Sequence, residues 1–227
     1  MGRRAGRRSG SATWSFSTIR NADSRPVTGI LGGTFDPVHR GHLSAATQLL
    51  SQAGLEEVWL MPNAQPPHRA APPLASAQDR LQMVRLATAN LSRVSGSALE
   101  VERGGLSYTI DSLRALRLTE PNRPVRLLLG SDAAEQIQSW HEWQALLREA
   151  TFTIFSRAPQ PLDPEKLERL GFPLDRTQLV ALDTPAISAR MVRERLGRGE
   201  AVEDLLTPEV AEYIRDRGLY RSAARMG

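Results

Sequence analysis

Residues 27–42 read Val-Thr-Gly-Ile-Leu-Gly-Gly-Thr-Phe-Asp-Pro-Val-His-Arg-Gly-His, which predicts a strand, a glycine turn and a helix start in immediate succession. The first five residues predict a short buried strand, and Gly32 and Gly33 predict a tight turn at which the backbone approaches a ligand closely. A helix is predicted over residues 41–53, because apolar residues recur along it at helical spacing. A phosphate between the strand end and the helix start would meet backbone N–H groups and the positive end of the helix dipole.

Two of the four histidines of the chain, His39 and His42, fall inside this glycine-bracketed turn. Their i, i+3 spacing places both rings on one side of the helix start, beside the candidate phosphate site. The alternatives are an ordinary cap or surface histidine, and a metal ligand. Metal ligation is disfavoured because the chain has no cysteine and no nearby carboxylate pair to complete a zinc shell. Neither Gly-x-Gly-x-x-Gly nor a Gly-Lys-Ser/Thr loop is present, which weakens the hydride-transfer and kinase interpretations.

Length and composition set broad limits. At 227 residues the chain is long enough for one large α/β domain with a substantial core. The absence of cysteine excludes disulfides and thiolate chemistry and is compatible with a reducing cytoplasm. No apolar run approaches membrane-spanning length. We therefore expect a soluble, cytoplasmic protein with no membrane partner.

The net charge of +4 is concentrated in an N-terminal tail. Residues 1–25 contain six arginines and one aspartate, a net charge of +5, so the remaining 202 residues carry −1. Nucleic-acid binding needs clustered basic residues on a folded surface, so the charge of the domain argues against a nucleic-acid partner. The tail is rich in Arg, Ser and Gly and is predicted to be disordered. It loosely resembles a transit peptide, and the favoured alternative is a dispensable extension or a mis-assigned start.

Predicted strands alternate with predicted helices along the rest of the chain. The alternation predicts a Rossmann-like α/β fold, an open doubly wound parallel sheet with helices on both faces. It forms a single domain over residues 26–222, followed by a short tail at 223–227. The strands are predicted at residues 27–31, 57–61, 99–101, 125–129, 152–155 and 179–182. The helices are predicted at residues 41–53, 77–91, from a cap at Ser107 or Thr109 to 118, 137–147, briefly between 159 and 173, and at 188–196 and 208–218.

Four segments with ligand-binding character each follow a predicted strand. The carboxyl ends of parallel strands meet at one edge of the sheet, and ligands of such sheets bind there. We therefore expect the four segments to converge on one rim. They cover residues 32–42, 62–69, 130–132 and 184–188.

A second candidate anion site begins at Ser188, which is well placed as the N-cap of a helix that follows a strand. Arg190 lies in the first turn of this helix and Arg193 one turn inside, so both are candidates for a phosphate clamp. Lys166 is the only lysine, so such a clamp relies on guanidinium groups, which bind phosphate oxygens bidentately. The alternative is an ordinary capped helix whose arginines face water.

Together the motifs resemble those of the bacterial nicotinate-nucleotide adenylyltransferases, in the His-x-Gly-His branch of the nucleotidyltransferase superfamily. The resemblance runs from about residue 27 to residue 220. Ala189 and Arg190 replace two hydroxyl residues of the family pattern, and His141 stands where the family often has Tyr. The motifs are Gly-Gly-Thr-Phe-Asp-Pro-Val-His-Arg-Gly-His at 32–42, Met-Pro-Asn-Ala-Gln-Pro-Pro-His-Arg at 61–69, Asp-Arg-Leu-Gln-Met at 79–83, Ser-Tyr-Thr-Ile-Asp-Ser-Leu at 107–113, Gly-Ser-Asp at 130–132 with Trp140 eight residues later, Ile-Ser-Ala-Arg-Met-Val-Arg at 187–193, and the segment 213–220.

The resemblance implies that ATP and nicotinate mononucleotide react to give deamido-NAD and pyrophosphate. The 5′-phosphate already carries a nucleophilic oxygen, so the implied catalysis is alignment and charge stabilisation around the α-phosphorus, without a strong general base. The implied catalytic residues are His42, His39 and Arg193. Mg²⁺ is expected to arrive with ATP, bound mostly by phosphate and water, with no protein metal site. The implied ATP-binding residues are Gly32, Gly33, Thr34, Phe35, His39, His42, Gly130, Asp132, Ile187, Ser188, Arg190 and Arg193.

At the nicotinate end the resemblance implies that Trp140 stacks on the pyridine ring and that Thr109 donates to its carboxylate. Donor-only contacts around Thr109 would reject the amide of nicotinamide. The alternatives are core packing for Trp140 and a plain connection for the proline-rich loop at residues 62–73. The implied substrate-binding residues are Asn63, His68, Arg69, Thr109, Trp140 and His141.

Two alternative functions stay open at this point. One is another transferase of the same superfamily, such as one that uses nicotinamide mononucleotide or phosphopantetheine. The other is a nucleotide-sensing or nucleic-acid-binding relative without catalysis, which only the Arg-rich tail favours. The sequence also leaves open whether the chain forms a homo-oligomer.

Overall fold

The computed structural model describes residues 25–67, 71–157 and 163–221. The predicted N-terminal tail, apart from Arg25, and the predicted tail at 223–227 lie outside the described residues. No helix within the described ranges is long and apolar enough to cross a membrane.

One sheet of six strands runs through the described part of the chain. The strands are β1 (Thr28–Gly33), β2 (Glu57–Pro62), β3 (Val94–Gly96), β4 (Val125–Gly130), β5 (Phe152–Arg157) and β6 (Thr177–Leu182). Their order is β3-β2-β1-β4-β5-β6 and every pairing is parallel. The order reverses between β1 and β4, which opens a crevice at the carboxyl ends of these strands. The predicted doubly wound α/β fold is confirmed.

Helices cover both faces of the sheet and enclose two apolar clusters. Leu128 of β4 belongs to one cluster, and its neighbours Leu127 and Leu129 belong to the other. This division follows from the alternation of side chains along a strand and explains why β4 is apolar on both faces. The helices are α1 (Arg40–Gln52), α2 (Ala77–Thr88), α3 (Leu99–Arg103), α4 (Thr109–Thr119), α5 (Ser131–Glu135), α6 (Trp143–Glu149), α7 (Pro164–Arg169), α8 (Ala189–Arg198) and α9 (Pro208–Asp216).

The strand predicted at residues 99–101 is wrong, because these residues begin α3 and the edge strand β3 lies just before them. Glu100 and Val101 are buried, and Gly104 follows the helix with a φ of +70°. β3 has only three residues, and its pairing with β2 is a tertiary contact that so short a pattern does not reveal.

The single helix predicted at residues 137–147 is also wrong. The chain instead forms a 3₁₀ turn (Ile137–Ser139) and then α6. Trp140 is extended, and Glu142 has a φ of +48°, in the left-handed region that a continuous helix does not contain. Trp140 and His141 therefore lie in a non-helical stretch between the two elements.

Candidate active site

A cavity of about 840 Å³ opens at the carboxyl ends of β1 and β4. This volume is in the range of small-molecule sites. All four segments that follow predicted strands contribute to its wall, which confirms their expected convergence on one rim. The predicted site residues that line it are Gly32, Gly33, Thr34, His42, Asn63, Thr109, Gly130, Asp132, Trp140 and His141.

Six further predicted site residues within the described part of the chain do not line this cavity. Phe35, His39 and Ile187 are buried, and the side chains of Phe35 and Ile187 pack in the apolar core. Ser188 caps α8 as predicted, because its Oγ accepts a hydrogen bond from the N–H of Met191 at 3.2 Å. The predicted ligands His68 and Arg69 lie outside the described residues.

His39 and His42 stack at the start of α1, with ring centroids 3.7 Å apart and planes inclined by 24°. His39 is the N-cap residue, and its backbone N–H donates to Nδ1 of His42 at 3.3 Å. With Nδ1 used as an acceptor, the neutral ring of His42 carries its proton on Nε2. Phe35 meets His42 edge to face, with ring centroids 5.0 Å apart. The rings of His39 and Phe35 thus hold the ring of His42. Of these three residues, His42 is the one that lines the cavity.

Two backbone N–H groups at the start of α1 already have partners within the protein. The N–H of Arg40 donates to the carbonyl of Leu205 at 2.8 Å, and that of His42 donates to the carbonyl of His39 at 2.9 Å. A phosphate at this helix start would therefore meet the helix dipole and the His42 ring, with fewer amides than the sequence predicts.

The turn predicted at Gly32 and Gly33 comes later, since both glycines end β1 and Phe35 takes the left-handed φ of +49°. Arg193 of α8 contacts this turn, and its Nη1 donates to the carbonyl of Asp36 at 2.7 Å. Arg190 behaves differently: its side chain is 82% exposed and its Nε pairs with Glu194 at 2.7 Å. Of the two arginines predicted as a clamp, Arg193 is the one that reaches the turn.

Arg80 is a residue of this region to which the sequence analysis gave no role. It is 1% exposed, and its guanidinium donates to the Thr34 carbonyl at 2.7 Å, Asn63 Oδ1 at 3.1 Å and the Ala64 carbonyl at 3.0 Å. It therefore joins the chain after β1 to the chain after β2, beside the cavity. The signal that could have found it is an arginine one turn before Val84, on the apolar face of α2.

One wall of the cavity is aromatic. Tyr108 and His141 stack with ring centroids 4.2 Å apart, and Trp140 lines the same cavity. Thr109 is the first residue of α4, so its N–H is one of the helix's initial donors. Ser107 and Thr109 do not cap this helix as predicted, because Tyr108 is the N-cap residue and makes no side-chain capping bond.

A buried carboxyl lies beside this wall. Oε1 of Glu100 accepts a hydrogen bond from Oγ of Ser112 at 2.5 Å, and the Ser107 hydroxyl also bonds to it. Burial raises the pKa of Glu100 in spite of these bonds. Oγ of Ser107 in turn accepts from the N–H of Ala64 at 2.9 Å. Glu100 thus ties α3 to the start of α4 and to the chain after β2.

Asp132 lies two residues after the end of β4, in the first turn of α5, and a Cβ on Gly130 would lie 2.6 Å from its Oδ1. Among the described residues, Asp132 and Glu100 are the carboxylates that line the cavity. Within the described residues no three His, Cys, Asp or Glu side chains lie close enough together to hold a metal ion.

Comparison with known proteins identifies relatives of the whole domain. Residues 30–195 match the family model described as cytidylyltransferase-like. A probable nicotinate-nucleotide adenylyltransferase of Acidothermus cellulolyticus is 39% identical over 204 residues, which cover 87% of this chain and 95% of that protein. A protein of the same name from Aeromonas salmonicida is 41% identical over 208 residues, which cover 86% of this chain and 97% of that protein.

A solved structure shares the fold. Plasmodium falciparum nicotinic acid mononucleotide adenylyltransferase complexed with NaAD superposes on this chain with a TM-score of 0.72 and 23% identity. The match covers 86% of this chain and 98% of that chain.

Proposed function

The chain belongs to the nicotinate-nucleotide adenylyltransferase family, and we propose that it transfers the adenylyl group of ATP to nicotinate mononucleotide. The products are deamido-NAD and pyrophosphate, so the enzyme is a nucleotidyltransferase of NAD biosynthesis. The observation that carries the proposal is a single cavity lined at once by His42, by the glycines that end β1 and by the aromatic residues Tyr108 and Trp140.

The reaction forms one phosphorus–oxygen bond and breaks another. An oxygen of the 5′-phosphate attacks the α-phosphorus of ATP, and the bond from that phosphorus to the bridging oxygen breaks as pyrophosphate leaves. The attacking oxygen is already ionised, so the site has to align the reactants and stabilise charge. His42 donates from Nε2 to the oxygens on which charge develops. His39 positions that ring by stacking on it and by donating to its Nδ1.

The triphosphate is bound by the turn after β1 and by Arg193. A guanidinium carries five N–H donors, and Arg193 donates one of its own to the Asp36 carbonyl. Its fork therefore binds a β- or γ-phosphate beside the turn, helped by backbone N–H groups near residues 33–35 and at Ser188. Asp132 accepts a ribose hydroxyl. This arrangement does not require Arg190, whose exposed side chain pairs with Glu194.

Mg²⁺ accompanies the triphosphate in this proposal. Asp132 and Glu100 are the carboxylates among the described residues that line the cavity, and such a sparse donor set fits an ion held mostly by phosphate oxygens and water. When bound with the triphosphate, the ion would neutralise part of the phosphate charge.

The aromatic wall selects the second substrate. Trp140 stacks on the pyridine ring, with Tyr108 and His141 beside it. The start of α4 at Thr109 offers N–H donors and the positive end of the helix dipole, and both favour a carboxylate over an amide. Asn63 contacts the ribose phosphate side of the mononucleotide. The roles of His68 and Arg69, and the cytoplasmic location, stay predictions.

The test is pyrophosphate release by the full chain with Mg-ATP and either nicotinate or nicotinamide mononucleotide, with product identity checked by mass spectrometry. We expect kcat/KM for the acid to exceed that for the amide at least tenfold. Equal use of both would leave the reaction standing and contradict the role of Thr109. No turnover with either would contradict the proposed substrate, and phosphopantetheine would be tested next.

A further inference from the structure

The carboxylate of Asp36 is a buried junction in the turn between β1 and α1. Asp36 is 2% exposed, and its carboxylate accepts three hydrogen bonds from distant parts of the chain. Oδ2 accepts from the N–H of Leu74 at 2.9 Å. Oδ1 accepts from the N–H of Ala75 at 3.1 Å and from the hydroxyl of Tyr220 at 2.7 Å. Residues outside the turn therefore hold it in place.

Tyr220 lies beyond the last helix, α9, near the end of the described chain. Its φ of +61° is in the left-handed region, which a bulky residue occupies only when other contacts hold it there. Burial and the neighbouring Asp36 carboxylate raise the pKa of the phenol, so the hydroxyl stays protonated and remains a donor. A residue 184 positions away in the sequence thus fixes the turn.

A second tyrosine on the same C-terminal segment provides a comparison within the molecule. The hydroxyl of Tyr213 donates to Oδ1 of Asp79 at 2.8 Å, in the first turn of α2. Both tyrosines therefore bond to a buried aspartate through the phenol oxygen. They differ in where that aspartate lies, since Asp79 is on a helix and Asp36 is in the turn that carries the histidines.

We propose that Tyr220 is a positioning residue for adenylyl transfer, acting through Asp36. The turn leads from Gly33 and Thr34, which line the cavity, to His39. His39 lies three residues after Asp36 and is the N-cap residue of α1. A shift of Asp36 therefore moves His42 relative to the α-phosphorus, and small misplacements of a catalytic group are costly to rate. This inference rests on the proposed function.

The experiment compares Tyr220→Phe with Tyr213→Phe in the full chain, because each removes one hydroxyl from one tyrosine–aspartate pair. We expect Tyr220→Phe to lower kcat at least tenfold, with KM for each substrate changed less than threefold. We expect Tyr213→Phe to keep kcat within twofold of wild type. Thermal unfolding should show similar losses for the two variants, and turnover is measured well below both unfolding midpoints.

A kcat for Tyr220→Phe within twofold of wild type would overturn the inference and leave the proposed function intact. An equal loss of kcat in both variants would also overturn it, because general destabilisation would then explain the effect. Absence of turnover in the wild-type chain with either mononucleotide would overturn the proposed function and this inference together.

Discussion

The ring of Phe35 packs against the α-carbon of Gly33, so closely that a Cβ on Gly33 would lie 2.9 Å from Cζ of Phe35. Gly32 is different, since among the described residues nothing lies within 4 Å of a Cβ built there. Both glycines line the cavity. Gly33 therefore makes room for a protein side chain, and Gly32 leaves room for a ligand.

Alanine at these two positions should separate stability from substrate binding. Gly33→Ala crowds Phe35 and should lower the free energy of unfolding by about 1–3 kcal/mol. Gly32→Ala should change that free energy by less than about 1 kcal/mol, because its methyl group enters open space, while KM for ATP rises at least threefold. Urea unfolding and steady-state kinetics check both. If Gly32→Ala instead lost stability and Gly33→Ala raised KM for ATP, the proposed ATP position would be contradicted.

Gly41→Ala tests the packing beneath the histidine pair. A Cβ at Gly41 would lie 3.1 Å from Nδ1 of His39 and 3.4 Å from the carbonyl of Pro185, so the His39 ring must move. We expect kcat to fall at least tenfold, although alanine favours a helix by about 1 kcal/mol over glycine. Gly197→Ala in α8 is the matched control, because its nearest contact is 3.9 Å and ordinary. It should keep full activity; equal kcat in both variants would refute the steric argument.

Arg80 should prove necessary for the stability of the fold. Arg80→Met leaves the acceptors on Thr34, Asn63 and Ala64 without their donor, and each lost bond to a charged group costs about 1.5–3 kcal/mol. We expect a loss of at least about 3 kcal/mol in the free energy of unfolding. Arg85→Met, at an exposed position of the same helix, should cost less than about 0.5 kcal/mol. Chemical denaturation of both variants measures these free energies of unfolding. Similar losses in the two variants would show that Arg80 has no special role in stability.

Glu100→Gln should change how stability depends on pH. The folded pKa of Glu100 is raised above its ordinary value of 4.5, so the folded protein binds this proton more tightly than the unfolded chain does. Wild type therefore loses stability as pH rises from about 4.5 through the raised value, and the glutamine variant lacks that loss. Measured by thermal unfolding, the free energy of unfolding of the variant should rise relative to that of wild type as the pH increases above about 4.5. A constant difference across this range would contradict the prediction.

The sheet could be predicted because its central strands carry a strong signal. Residues 125–129 are almost wholly apolar, and such a run is buried on both faces of a parallel sheet. The errors fall where the signal is short or broken. Residues 99–101 look like a strand but form a helix, and the left-handed Glu142 interrupts a helix whose apolar spacing is continuous.

The rim of the site and its local contacts could be predicted, but the long-range side-chain contacts could not. The four segments meet at one rim because the carboxyl ends of parallel strands lie at one edge of the sheet. His39 and His42 are three residues apart, so their proximity follows from helix geometry. The pairing of Asp36 with Tyr220 and the bonds from Arg80 to the chain after β2 join residues far apart in sequence. Periodicity gives no information on such contacts, because they depend on how whole elements pack.

The central claim is that His42 stabilises the transition state of adenylyl transfer, and His42→Ala tests it most directly. We expect kcat for pyrophosphate release from Mg-ATP and nicotinate mononucleotide to fall about a hundredfold to a thousandfold, with KM for ATP within about threefold. His141→Ala in the same cavity should instead raise KM for the mononucleotide and keep kcat within about threefold of wild type. A folded His42→Ala variant that retains more than about a fifth of the wild-type kcat would contradict the account.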